Sequence, residues 1–183
     1  ALHAACTASD YCCFPNRLEA IIALRYAISA NQQDAKAPYY LGCLYYDKRQ
    51  YEDAMDSWNI SKSRDPQYPT VWRNLALALF NKKNDADSAV EYMEKAFALD
   101  ETDARVFMEL DQLYKRLHQS HAERLKRLEA HADLIAQRDD LLLEEITLLN
   151  QTGNYEKAIR LIAHHQFHAW EGGEGKISGQ YQF

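Results

Sequence analysis

Three histidines, His164, His165 and His168, fall within five residues near the C-terminal end, and the run WEGGEGK (170–176) follows them. Histidines four apart on a helix share one face, as metal ligands do, so His164 and His168 form a weak candidate metal pair. A glycine-rich run ending in Gly-Lys suggests a phosphate loop, which requires G-x-x-x-x-G-K-[ST] after a strand. With the Gly-Lys set on Gly175 and Lys176, Trp170 stands at the first glycine and Ile177 at the Ser/Thr, so the phosphate reading fails. The acids beside the histidines are Glu171 and Glu174, and no H-E-x-x-H occurs. Clustered histidines also suit a helix end, where the negative dipole favours them. The expectation is no native metal and no cofactor.

Other reactive groups are scattered. Ser120 and His121 are neighbours, but no G-x-S-x-G is present, and adjacency in sequence is not a catalytic geometry. The carboxylate pairs Asp139/Asp140 and Glu144/Glu145 read as helix starts or exposed faces, and a helix start favours acids anyway. Cys6, Cys12, Cys13 and Cys43 contain no C-x-x-C, and neighbouring cysteines make poor bridges or zinc sites. All four read as free thiols of a reducing, cytoplasmic compartment. No enzyme is expected.

Composition narrows the class. The 183 residues are 47% hydrophobic and 26% charged, ordinary for a folded chain. A net charge of −6 argues against a nucleic-acid surface, which needs a basic face. The basic stretch from Lys115 to Arg127 reads as a solvated helix face. No apolar stretch approaches the roughly 20 residues of a membrane span, and no signal-peptide pattern opens the chain.

The elements that must position these residues are helices. Apolar residues recur at spacings of three and four, and no alternating strand pattern is found. Gly42 and Gly153 are the sole glycines ahead of the tail, and Pro15, Pro38, Pro66 and Pro69 are all early. Helix pairs begin at 35, 69, 104 and 139, a period of about 34 residues. Leu41, Gly42, Tyr45, Ala54, Trp58, Ser61 and Pro66 recur in part as Trp72, Leu75, Ala76, Leu79, Ala89, Met93, Ala96 and Glu101. Leu142, Leu149, Gly153, Tyr155, Ala158 and Ile162 fill the same places in the last pair. Small residues let paired helices approach, and the large ones fill the space between pairs.

These positions resemble the tetratricopeptide repeat. The resemblance implies an all-α, right-handed solenoid of stacked antiparallel helix hairpins with a C-terminal coil tail. One continuous domain is expected: a partial leading repeat over 1–34, repeats over 35–68 and 69–103, a degenerate repeat over 104–138, a fourth over 139–166, and a glycine-rich tail over 167–183. Ala20, Leu24 and Ala27 suit the second helix of the leading unit. The second repeat carries one extra residue in its NKKNDAD turn. In the third, Asp111 and either Glu123 or Arg124 stand where small residues should pack, so altered helix tilt is expected there.

In such a solenoid the first helices line a concave face. The binding candidates are Tyr39, Tyr40, Cys43, Tyr46, Arg73, Asn74, Leu77, Phe80, Arg105, Met108, Gln112 and Asn150, with Glu109, Leu143 and Thr147 beside them. Tyrosine and arginine suit interfaces. Some repeats of this type grip a chaperone's C-terminal carboxylates through five Lys, Asn and Arg positions. Here those are Tyr39, Cys43, Asn74, Arg105 and Glu109; only Asn74 and Arg105 suit the task and Glu109 would repel an anionic terminus, so this mode is rejected. YCCFPNRLEAI, APYYLGCLYYDKRQYEDA and FHAWEGGEGKISGQY further resemble the C-terminal repeats of large bacterial proteins with an upstream galactose-mutarotase-like domain. That resemblance implies a fragment of a multidomain chain. The expected function is a protein-interaction or interdomain scaffold whose partner is a protein, a peptide or another domain. Neither nucleic acid nor membrane is expected as a partner, and self-assembly through end repeats is a further expectation. The alternative is an accessory region of a carbohydrate-active enzyme, with Trp170 stacking on sugar.

Overall fold

The computed structural model describes residues 15–168, 170 and 173–182. Cys6, Cys12, Cys13, Glu171 and Gly172 lie outside them. Among the described residues every regular element is helical. Two compact units form, one ending at Asp100 and the other beginning at Glu101.

The first unit contains α1 (Glu19–Ala30), α2 (Lys36–Asp47), α3 (Tyr51–Arg64), α4 (Pro69–Ala78) and α5 (Ala86–Leu99). Pro69 starts α4, where its missing N–H leaves nothing unsatisfied. Helices α2 and α3 form a hairpin whose closeness depends on Gly42. A Cβ there would collide with the Trp58 ring and lie 2.9 Å from the Ala54 carbonyl oxygen. The contact is pinned at two further points. Trp58 Nε1 donates to the Tyr39 carbonyl at 3.2 Å, and Ser61 Oγ to the Ala35 carbonyl at 2.7 Å. Tyr45, Leu41, Met55, Val71 and Leu75 complete this core, and Ile21, Leu24 and Ile28 of α1 pack against it.

The second unit contains α6 (Ala104–Arg116), α7 (His121–Glu129), α8 (Ala132–Ile135), α9 (Asp139–Gln151), α10 (Tyr155–His164) and α11 (Lys176–Gly179). Asp103 caps α6 by accepting from the Arg105 and Val106 amides, and Ser120 caps α7 through the Glu123 amide. The segment after α7 breaks at His131 and resumes as the single turn α8. Its Leu134 and Ile135 are buried all the same. The expected coil tail is not all coil. Lys176–Gly179 is helical and a 3₁₀ turn over Gln180–Gln182 follows.

Within the hairpins, chain reversal uses one left-handed residue each time. Arg49, Asn84, His118 and Gly153 all have positive φ, about 35 residues apart, so the repeat is written in the backbone. At Arg49, His118 and Gly153 the next amide bonds back five residues: Gln50 to Tyr45, Gln119 to Tyr114, Asn154 to Leu149. This is the Schellman closure of a helix end. At Asn84 the extra residue changes the bond, and the Asp85 amide reaches back to Leu79. The last turn of α4 widens into a π-turn over Leu79–Lys83, which absorbs the insertion without moving α5 out of register.

Filling the Gly42 contact should overpack the hairpin. Gly42→Ala is expected to cost about 1–3 kcal/mol, and Trp58→Ala about 3–5 kcal/mol through the cavity it leaves. Urea denaturation of both variants measures this, and a neutral Gly42→Ala would show that the helices are not held that close.

Candidate functional site

In the first unit a polar and aromatic cluster joins α2 to α4. Asn74 Nδ2 lies 3.7 Å from Cys43 Sγ, and Arg73 Nη1 donates to Asn74 Oδ1 at 3.1 Å. Tyr40, Cys43, Tyr46, Arg73, Asn74, Leu77 and Phe80 are all half-buried, while Tyr39 is 5% exposed. The Tyr39 ring packs against Tyr40 at 5.2 Å and Tyr68 at 5.0 Å between centroids, so it supports the face from beneath and offers little surface itself. Tyr46 packs on Trp58 at 5.4 Å and Tyr51 at 5.1 Å, with Lys82 over both its ring and that of Tyr51. Burial raises the Cys43 thiol, opposed by Tyr39, Trp58, Arg73 and Asn74. A raised thiol holds little thiolate. Burial, then Cys43 and Tyr68, likewise hold the Tyr39 hydroxyl protonated.

In the second unit α6 and α9 line a cavity of about 430 Å³ with Met108, Gln112, Leu143 and Thr147. Arg105 is exposed and pairs with Glu109 at 3.2 Å. Asn150 is 5% exposed. The reason was hidden from sequence: Gln180 packs against it, and Trp170, Lys176 and Gln180 wall the neighbouring cavity. Asn150 Nδ2 donates to the Gln180 carbonyl and to Gln180 Oε1, each at 3.2 Å.

The histidines are distributed differently from the sequence reading. Helix α10 ends at His164, so His168 lies past it and the shared-face spacing does not apply. His164 Nδ1 sits 2.8 Å from its own Arg160 carbonyl. His165 and His168 meet instead at Asp139. His165 Nε2 is 2.7 Å from Oδ1, and the His168 amide donates to Oδ2 at 2.6 Å. Burial raises the Asp139 carboxyl, but these bonds outweigh it and hold it below the usual range. Among the described residues no group of three His, Cys, Asp or Glu could hold a metal. Trp170 packs on Gly173 and near Phe167.

Beneath the groove lies an ionic network. Arg124, 1% exposed, donates to both oxygens of Asp111 at 3.0 and 2.6 Å, and to Glu144 Oε1 at 2.6 Å. Lys115 Nζ completes it at 2.8 and 2.9 Å from Glu144. Asp111 and Arg124 are the residues that stand where small side chains were expected. A two-pronged ion pair takes the place of close small-residue packing there. Burial, the largest influence on both acids, pushes Asp111 up. Because both its oxygens accept from the guanidinium, it remains the ionised partner. Glu144 and Glu145 are buried and not on an exposed face as the sequence suggested; at Glu144 the Lys115 and Arg124 bonds outweigh burial and hold the carboxyl below the glutamate range.

The hairpin geometry defines the class: this is the fold of tetratricopeptide-type helical solenoids. Residues 70–103 match the tetratricopeptide repeat family profile. Among solved structures, YrrB, described as a TPR protein with an unusual peptide-binding site, is 19% identical with a TM-score of 0.60, over 79% of this chain and 74% of that one. MamA is 16% identical with a TM-score of 0.62, over 89% and 81%. The MamA RS-1 ArsTM double mutant is 15% identical with a TM-score of 0.64, over 90% and 84%. Among the described residues no helix is long and apolar enough to cross a membrane.

Two outcomes test the network. Arg124→Ala strands Asp111 and should cost about 3–5 kcal/mol, whereas Asp111→Ala with Arg124→Met leaves Glu144 on Lys115 and should recover more than half of that loss. For pH, the Glu144 carboxyl is depressed on folding. Its contribution is therefore complete above the ordinary glutamate value of about 4.3 and is lost as pH falls through the lower folded value. Melting curves from pH 7 to 3 should show a steeper acid decline for the unaltered chain than for Glu144→Gln. Parallel declines would place the acid sensitivity elsewhere.

Proposed function

We propose that this chain is a protein-interaction scaffold that holds a peptide or a neighbouring domain on its first-helix faces. The observation that carries the reading is the half-buried Tyr40–Cys43–Arg73–Asn74–Leu77 face of the first unit. Its side chains are already held by one another through the Asn74–Cys43 and Arg73–Asn74 contacts, so a partner meets an ordered surface and little side-chain freedom is lost on binding. Aromatic and arginine groups on such a face favour protein contact. The likeness in fold to YrrB, described as having a peptide-binding site, supports the same reading. The multidomain setting, with a sugar-related domain upstream, belongs to this proposal as the source of a neighbouring domain.

Selection of a random displayed peptide library against the chain tests the face. Selected peptides should bind Arg73→Glu and Asn74→Ala at least tenfold more weakly, about 1.4 kcal/mol, with unchanged melting curves. Peptides indifferent to both substitutions would remove this face from the function.

A further inference from the structure

The tail beyond His164 is attached to the second unit at both ends of one helix. At the start of α9, Asp139 accepts the His168 amide and contacts the His165 ring. Near its end, Asn150 donates to the Gln180 carbonyl and side-chain oxygen. At 1.5 Å per residue these anchors are about 16 Å apart along the axis. Between them Trp170, Lys176 and Gln180 face Met108, Gln112, Leu143 and Thr147 across a cavity of about 430 Å³. Its path is shaped for this. A Cβ at Gly173 would fall 2.6 Å from the Trp170 ring, and Gly175 turns the chain at φ 72°.

These bonds are those by which a groove holds a foreign peptide: an acceptor for a main-chain N–H and a donor for a main-chain carbonyl, beside a cavity walled by an aromatic ring. The tail's own groups supply each of them. We propose that the tail is a built-in occupant of the second unit's groove, latched at Asp139 and Asn150, and that a partner segment binds there by displacing it. This rests on the scaffold reading and extends it to the second unit. An incoming segment must offer what the tail offers: an amide for Asp139, a carbonyl for Asn150 and an aromatic side chain in the place of Trp170.

The test loosens the tail without touching the groove. In the full chain, His165→Ala with Gly173→Val removes one latch contact and forces the Trp170 ring away. A labelled synthetic peptide of residues 165–182 is then titrated by fluorescence anisotropy. It should bind the loosened chain at least tenfold more tightly than the unaltered chain, and adding Asn150→Asp should abolish that gain. In parallel, tail amides such as His168 should exchange with deuterium at least tenfold faster in the loosened chain, with melting confirming the fold. Equal affinity for the two chains, or equal tail exchange, overturns the proposal. Faster exchange without tighter peptide binding overturns it as well. Failure of the scaffold reading looks different: library peptides would ignore Arg73 while the tail exchange still changed.

Discussion

The close approach of paired helices is the constraint on which the rest of this structure depends. A hairpin of two short helices cannot bury an apolar face unless their backbones come near enough for each side chain to reach its partner. In the first unit the absence of a side chain at Gly42 allows this, and the Trp58 ring occupies the space. In the second unit the corresponding contact contains the largest fully buried side chain among the described residues, Arg124. Its guanidinium spans α7, α6 and α9 through Asp111 and Glu144. Both solutions hold helices together, but they differ in kind. A glycine contact depends on shape, whereas an ionic one depends on every partner remaining charged and satisfied.

The turns show how little sequence is needed once the helices are paired. Four reversals use the left-handed backbone region, yet glycine occupies it only at Gly153. Arginine and histidine take it at Arg49 and His118, where Schellman bonds over-determine the backbone, and asparagine takes it at Asn84, where the π-turn closes on Leu79. The same tolerance accommodates the added residue near Asn84, where widening to a π-turn costs one irregular turn and leaves the next helix free to pack.

The two candidate faces share an origin and differ in state. The α2–α4 face is a surface whose polar groups satisfy one another. At the α6–α9 groove Asn150 is bonded to Gln180 of the tail, so it is buried although it stands where a binding residue was expected. Asp139 has a double role: it begins α9, where an acid is favoured by the helix dipole, and it receives the His165 and His168 contacts.

Period, helix content and the hairpin partners were legible in the residues alone, because small and large side chains at fixed spacing admit one pairing of helices. The seat of Trp58 was not: the sequence suggested that it fills space between hairpins, whereas it lies inside one, against Gly42 and the Tyr39 carbonyl. What the sequence could not determine was contact between segments that lack a repeat to align them. Asp111 and Arg124 looked like defects, since their compatibility depends on a third residue, Glu144, twenty positions further on. The spacing of His164 and His168 implied a shared face that exists only while the helix continues, and it ends between them. The glycine-rich tail carried no period at all, and its path back to Asn150 depends on Gly175 and on hydrogen bonds that form only in the folded molecule. Local periodicity sets how hairpins stack, but burial of charge and the return of an irregular segment are decided by tertiary neighbours.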